Sequence, residues 1–309
     1  MIKYRVQIFW GFLILLFILP LVVANFNSRL TQKISVIAEK YDSNFEEAIV
    51  EQEALVLEQG KNNPENDLIS KQDKSNAKQK NSKQPEQPPN NNESIVDLTE
   101  LKQALVLFTH SQEAFIPMVK SRYGKTLVYH SNSNIMEFKD VIKNDFALNS
   151  IDTEFLGVDS MEKIKKTNRT FSEAYNVVRP YLVNQIQNNN YDIVIDLHRD
   201  SAKRDISTLK YKNDTYSKLY FIVGEDNPNS PLNRALADNI SSKLNKLIPG
   251  LSRGVVGKKG EYVDGIYNQD LSKNMILVEL GGIENTEEEV NRTISVLSRA
   301  ISIVLQESS

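Results

Sequence analysis

The order of apolar and polar positions divides this 309-residue chain into stretches of different character. Val6 to Phe26, VQIFWGFLILLFILPLVVANF, is uncharged and mostly apolar, about the 20 residues a membrane-spanning helix needs. Residues 27–60 set Ile34, Ile37, Ala38, Ala48, Ile49, Leu55 and Leu57 at helical spacing with no glycine or proline before Gly60, which predicts a helical stalk. Residues 61–98 predict a disordered linker. From Lys61 to Glu93 the chain is rich in Asn, Lys, Gln and Pro, and such a segment buries too little apolar surface to offset the entropy of ordering.

From residue 99 to 309 the pattern alternates. Short strand-like runs occur at Ala104–Phe108, Thr126–Tyr129, Tyr191–Leu197, Leu219–Val223 and Met275–Leu280, with a weaker one in IDTEFLGV from Ile151. Helical spacing marks Asn134–Phe146, Phe171–Gln187, Leu232–Leu247 and Glu287–Leu305, the last with Thr286 as its N-cap. Pro180 inside the second of these either kinks it or marks its start. Strands alternating with helices predict a three-layer α/β/α domain built on a mostly parallel sheet, in which ligands bind beyond the carboxyl ends of the strands.

Charge and composition narrow the chemistry. Lys and Arg number 37 against 40 Asp and Glu, a net charge of −3, which gives no electrostatic grip on nucleic acid. Lys3 and Arg5 precede the apolar run, so the positive-inside rule keeps residues 1–5 cytoplasmic, makes 6–26 a single-pass anchor in the cell membrane and puts the rest outside. A cleavable signal is the competing reading, since Val22-Val23-Ala24 resembles a cleavage site; signal cores of about 7–15 residues are shorter than this run, which favours the anchor. The chain has no cysteine, so disulfides, thiolate nucleophiles and Cys-bound metals are excluded, and a metal would fall to His, Asp or Glu.

The chain has three histidines, and two of them end strands. His110 closes the first run with Glu113 three residues on, and YDIVIDLHRD delivers His198 with Asp196 two residues before it, on the same face of a strand. A carboxylate so placed orients an imidazole from outside a metal's ligand shell. In MILVELGGIEN, Glu279 emerges from an apolar strand, where an unpaired carboxylate is expensive to bury. Two imidazoles and one carboxylate are a common catalytic zinc shell, and a further carboxylate serves as general base; this set points to metal-assisted hydrolysis.

Plainer readings exist for each residue. A histidine at a strand end is more often packing than ligand, and Glu113 could cap the turn that follows. His130, followed by turn residues, reads as structural. HRD at 198–200 matches the kinase catalytic loop, but the other kinase signatures are absent. Glu284, Glu287, Glu288 and Glu289 read as a solvated first helical turn.

The motifs LFTHSQEAF, DLHRDS, YFIVGEDNPN, GLSRGVV, YNQDLS and ILVELGGIENTEEE stand in the order found in the stage II sporulation protein P family of endospore formers, which Leu105 to Leu305 resembles. The resemblance implies a zinc-dependent, membrane-anchored N-acetylmuramoyl-L-alanine amidase with endopeptidase activity on cross-links. It implies work in the septal intermembrane space, thinning the wall during forespore engulfment alongside the lytic transglycosylase stage II sporulation protein D. Residue by residue, it makes His110 and His198 zinc ligands and Glu279 the catalytic carboxylate. Glu113, in the close HSQE, is the expected third ligand; because the wider zinc amidases put their ligand glutamate more than a helical turn beyond the first histidine, Glu137 is the reserve if that departure excludes Glu113. Arg253 and Asn268 are expected to line the cleft and bind peptide carboxylates or carbonyls. Two rivals use the same residues otherwise: a metallocarboxypeptidase-like peptidase of wall peptides, needing a cation for a terminal carboxylate, and a non-catalytic wall-binding scaffold, needing no metal.

Overall fold

Most of the apolar runs become one sheet in the structure, a computed structural model that describes residues 101–261 and 263–308. The strands are β1 (Lys102–Leu107), β2 (Ile151–Phe155), β3 (Ile193–Asp200), β4 (Thr208–Tyr211), β5 (Asp214–Ser217), β6 (Leu219–Gly224), β7 (Ser252–Lys258) and β8 (Met275–Gly282). The helices are α1 (Ile116–Tyr123), α2 (Lys139–Leu148), α3 (Ser160–Thr167), α4 (Ala174–Asn188), the single turn α5 (Arg204–Ser207), α6 (Ser230–Leu247) and α7 (Glu287–Glu307). Six strands pair in the order β2-β1-β3-β8-β6-β7, and β4 and β5 form a separate hairpin.

The two faces of the sheet bury different sets. Val106, Ile195, Leu197, Phe221 and Val278 pack with Phe146 of α2, Ile240 of α6 and Ile294, Leu297 and Ile301 of α7. On the other face Leu105, Leu107 and Val194 meet Val178 and Leu182 of α4. Helices on both faces give the α/β/α layering, and strand residues buried on both sides explain why the central runs are continuous in hydrophobicity rather than alternating. Thr286 caps α7 in a reciprocal box with Glu289, as its position ahead of an acidic turn predicts. Helix α4 runs through Pro180, and the carbonyl of Asn176, which loses its donor there, lies on the exposed side.

Several elements depart from the sequence reading. β6 is antiparallel to β8 while every other neighbouring pair in the large sheet is parallel, so β7 begins at the edge where β1, β3 and β8 end. Thr126–Tyr129 is not a strand. Its backbone serves the loop after β1 instead: Val128 O accepts from Ala114 N, and Glu113 and Tyr129 form an isolated bridge. The glycine-marked stretch around Gly254 and Gly257 is the strand β7, because β6 supplies the ladder that its own composition does not advertise. The hairpin β4–β5 also went unanticipated. Among the described residues no helix is long and apolar enough to cross a membrane. The expected cytoplasmic tip, anchor, stalk and linker over 1–98 lie outside the described residues.

Candidate metal centre

The turn that follows β1 folds H-x-x-E onto itself. Glu113 N–H donates to His110 O at 3.1 Å, which brings the two side chains together, His110 Nδ1 to Glu113 Oε1 being 3.5 Å. Neighbouring segments pin this turn: His130 N donates to Gln112 O at 2.9 Å, Ile135 N to Glu113 O at 2.8 Å, and Ser160 Oγ to Thr109 O at 2.5 Å. The other oxygen of Glu113 accepts the Arg199 N–H at 2.7 Å and lies 3.7 Å from His198 Nδ1. One carboxylate therefore stands between two imidazoles delivered by adjacent strands.

His198 has a second carboxylate behind it. Asp196, fully buried, accepts from Thr109 N at 2.9 Å and Thr109 Oγ1 at 2.6 Å, and its Oδ1 lies 3.1 Å from His198 Nε2. That contact is close but bent off the hydrogen-bond line, since Nε2 has no aligned partner. Imidazole nitrogens and carboxylate oxygens bound to zinc at about 2.0–2.2 Å in a tetrahedral shell stand roughly 3.4 Å from one another. The separations of 3.5 and 3.7 Å match such an edge, and one ligand atom from each of His110, Glu113 and His198 falls within 4.8 Å of the others. The three residues fit a zinc ion, with Asp196 set where an outer carboxylate steadies a ligating histidine.

The electrostatics agree with that fit. Burial would raise the Glu113 carboxyl, but hydrogen bonds from His110 and His198 and the charges of His198 and Arg199 hold it far below the usual range. Burial would lower His198, and the charges of Asp196 and Glu113 outweigh it, raising the imidazole well above its ordinary value. The two carboxylates thus favour a positive charge at His198, and a metal bound there would compete with the imidazole proton.

Glu279 occupies the next strand, in register with His198 on one side and Tyr220 on the other, so all three side chains share one face. Burial raises its carboxyl to about 8; the charges of Glu113 and Asp200 add to the rise, and those of His198 and Arg199 oppose it. A carboxylate poised near neutrality beside a ligand cluster is suited to take and return a proton.

Arg253 arrives from the reversed half of the sheet. The register between β6 and β7 slips between Leu219 and Phe221, and Gly254 takes φ +99° there, a bulge that turns Arg253 across the Tyr220 ring at 4.3 Å and onto the Asp200 carboxylate. Its Nε is buried without an acceptor. Asn268 is put to a different use: its Nδ2 donates to Tyr175 O at 3.0 Å, its Oδ1 accepts from Arg179 at 3.0 Å, and it is buried. Its amide is engaged in holding α4. Glu137, the reserve ligand, bonds Arg122 and Ser133 away from the cluster. His130 accepts from the N–H groups of Asn132 and Ser133 and is structural, as its turn context suggests.

Two site residues escaped the sequence reading. Phe171 stacks on His110 with centroids 4.2 Å apart, and Tyr175 meets both His110 at 5.7 Å and His198 at 6.2 Å. The signal was available in FSEAY, which sets two aromatics four apart on one helical face.

A family model described as stage II sporulation protein P matches residues 24–302. The stage II sporulation protein P of Bacillus subtilis (strain 168) is 28% identical over 202 residues, 65% of this chain and 50% of that protein, so the chain spans about half the length of the curated relative it matches. Among solved structures, the CwlD amidase from Clostridioides difficile in complex with the GerS lipoprotein matches 67% of this chain and 97% of its own at 15% identity and a TM-score of 0.42. The N-acetylmuramyl-L-alanine amidase Ami1 from Mycobacterium smegmatis matches 68% of this chain and 100% of its own at 11% identity and a TM-score of 0.40.

Proposed function

This chain belongs to the stage II sporulation protein P family, and from that premise we propose that it is a zinc-dependent peptidoglycan hydrolase acting during sporulation. It cleaves the amide between the lactyl group of N-acetylmuramic acid and the L-alanine of the stem peptide, and it also opens peptide cross-links. One observation supports this most: the Glu113 carboxylate stands 3.5 and 3.7 Å from two imidazole nitrogens, with Glu279 on the neighbouring strand. Zinc held by His110, Glu113 and His198 would supply a Lewis acid that lowers the pKa of water towards about 7 and polarises a carbonyl.

The chain's own groups do the rest. Glu279 accepts the proton of the attacking water as the new C–O bond forms, then gives it to the nitrogen as the C–N bond breaks, leaving a lactyl carboxylate and a free amino terminus. Asp196 and Thr109 hold His198 in place, and the partly exposed guanidinium of Arg253, paired with Asp200, binds a carbonyl or carboxylate of the stem peptide. The proposal includes a single-pass anchor at 6–26, an extracytoplasmic catalytic domain in the septal space, and partnership with the transglycosylase stage II sporulation protein D during engulfment. The cation at Arg253, half-buried and paired with Asp200, also favours a second reading, a carboxypeptidase-like cut of wall peptides at a terminal carboxylate.

Products decide between them. The full chain, loaded with zinc and given purified sacculi, is expected to release stem peptides with a free L-alanine amino group and bare glycan, while Glu279→Gln keeps the metal and releases them far more slowly. Release of single carboxyl-terminal amino acids instead would establish the peptidase reading, and a wild-type chain that takes up no zinc would end both.

A further inference from the structure

We propose that Phe171 is the positioning residue of His110, doing with a flat ring what Asp196 does for His198 with a carboxylate. This inference rests on the zinc reading and deepens it. A ligating histidine must have its ring plane fixed, because rotation about χ2 is broad and swings the nitrogen off the metal. His198 is fixed by polar contacts and by near-total burial. His110 has one polar contact, Nδ1 with Glu113, and its side chain is 15% exposed.

What surrounds His110 otherwise is aromatic. Phe171 lies against it at 4.2 Å with 28° between the planes, His198 meets it edge-on at 5.0 Å and 87°, and Tyr175 at 5.7 Å and 65°. Turning the imidazole about χ2 would drive its edge into the Phe171 ring, so the stack holds Nδ1 towards Glu113. Phe171 is itself held. Tyr129 packs edge-on against it at 5.7 Å and 81°, and the Arg199 guanidinium lies 5.4 Å from the Tyr129 ring. The turn that carries Phe171 is closed by a capping box in which the Glu173 carboxylate accepts from Thr170 N at 2.8 Å. Tyr129 and Arg199 each flank a site residue in the fold, through the bridge to Glu113 and the backbone bond to its carboxylate, so the ring is tied to the same frame as the ligands it serves.

The test is zinc affinity in the full chain, read by competition with a chromophoric chelator, together with the visible spectrum of the cobalt-loaded protein. Phe171→Leu keeps apolar bulk and removes the flat face; it is expected to weaken zinc about tenfold, the low end for loss of a ligand's outer support, and to broaden the cobalt bands. Phe171→Tyr is expected to restore the wild-type value. Metal-free melting temperature should not change, Phe171 being half-buried; if the leucine variant melts early, Phe171→Met carries the comparison instead. Wild-type zinc affinity in a folded Phe171→Leu or Phe171→Met overturns the assignment, as does a rise in KM alone, which would make the ring a substrate contact. A wild-type chain without zinc is a separate result, independent of residue 171, and overturns the metal reading and this inference together.

Discussion

His110 and His198 carry the same ring and face the same carboxylate, yet the two sides of the site hold them by different physics. On the His198 side the support is charged and hydrogen-bonded: Thr109 fixes Asp196, and Asp196 backs the imidazole. On the His110 side the support is a stack of rings, Phe171 backed by Tyr129, with no carboxylate among them. Polar support stiffens a ligand but also sets its proton affinity, whereas ring support fixes direction and leaves the charge alone. On the Asp196 side, neighbouring carboxylates raise the proton affinity of His198, so a metal there would compete with a proton.

The largest effect should come where the two sides meet. Glu113→Gln removes the charge shared by both histidines and is expected to abolish zinc uptake and turnover together, measured by metal analysis and sacculus digestion. Glu279→Gln should leave zinc in place and lower turnover by about 10²–10⁴, the usual worth of a general acid–base group; equal losses in metal and activity would make Glu279 a ligand instead. Asp196→Asn should weaken zinc by about 10–100-fold. It should also shift the pH profile: affinity in the wild type rises as His198 gives up its raised proton, and loss of the Asp196 charge moves that rise to lower pH. No comparable shift should accompany Phe171→Leu, which is the sharpest contrast between the two sides.

The smallest effect is on the metal-free fold. Glu279 binds its proton more tightly folded than unfolded, its carboxyl being raised from 4.5 to about 8. Stability from this group is complete below the unfolded value and is lost as pH rises through about 8, so the metal-free melting temperature should fall between roughly pH 5 and 8. Glu279→Gln should flatten that slope, and a slope unchanged in the variant would assign it elsewhere.

The parts of the site that the sequence made legible are those that obey the strand-end rule. His110, His198 and Glu279 each follow an apolar run long enough to be read as a buried strand, and Asp196 follows from the two-residue period of that strand. Arg253 was visible only through resemblance, because it enters from the start of a reversed strand by way of a glycine bulge, and neither strand direction nor bulge is written in local hydrophobicity. Phe171 and Tyr175 looked like ordinary core positions of a helix. Asn268 was named through resemblance too; an amide in a polar motif says nothing about its partners, which within the fold are Tyr175 and Arg179.

The order of strands in the sheet also dictates an order of assembly. The candidate metal-holding residues lie in the turn just beyond β1 and on β3, two strands that pair directly, whereas Glu279 comes on β8, which joins the far side of β3 from much later in the chain. Loop closure across such sequence distances is slow and each pairing is a separate event. In chain order the segment carrying His110, Glu113 and His198 is complete before the segment carrying Glu279, so the proposed metal site can be gathered before the proposed base is in place.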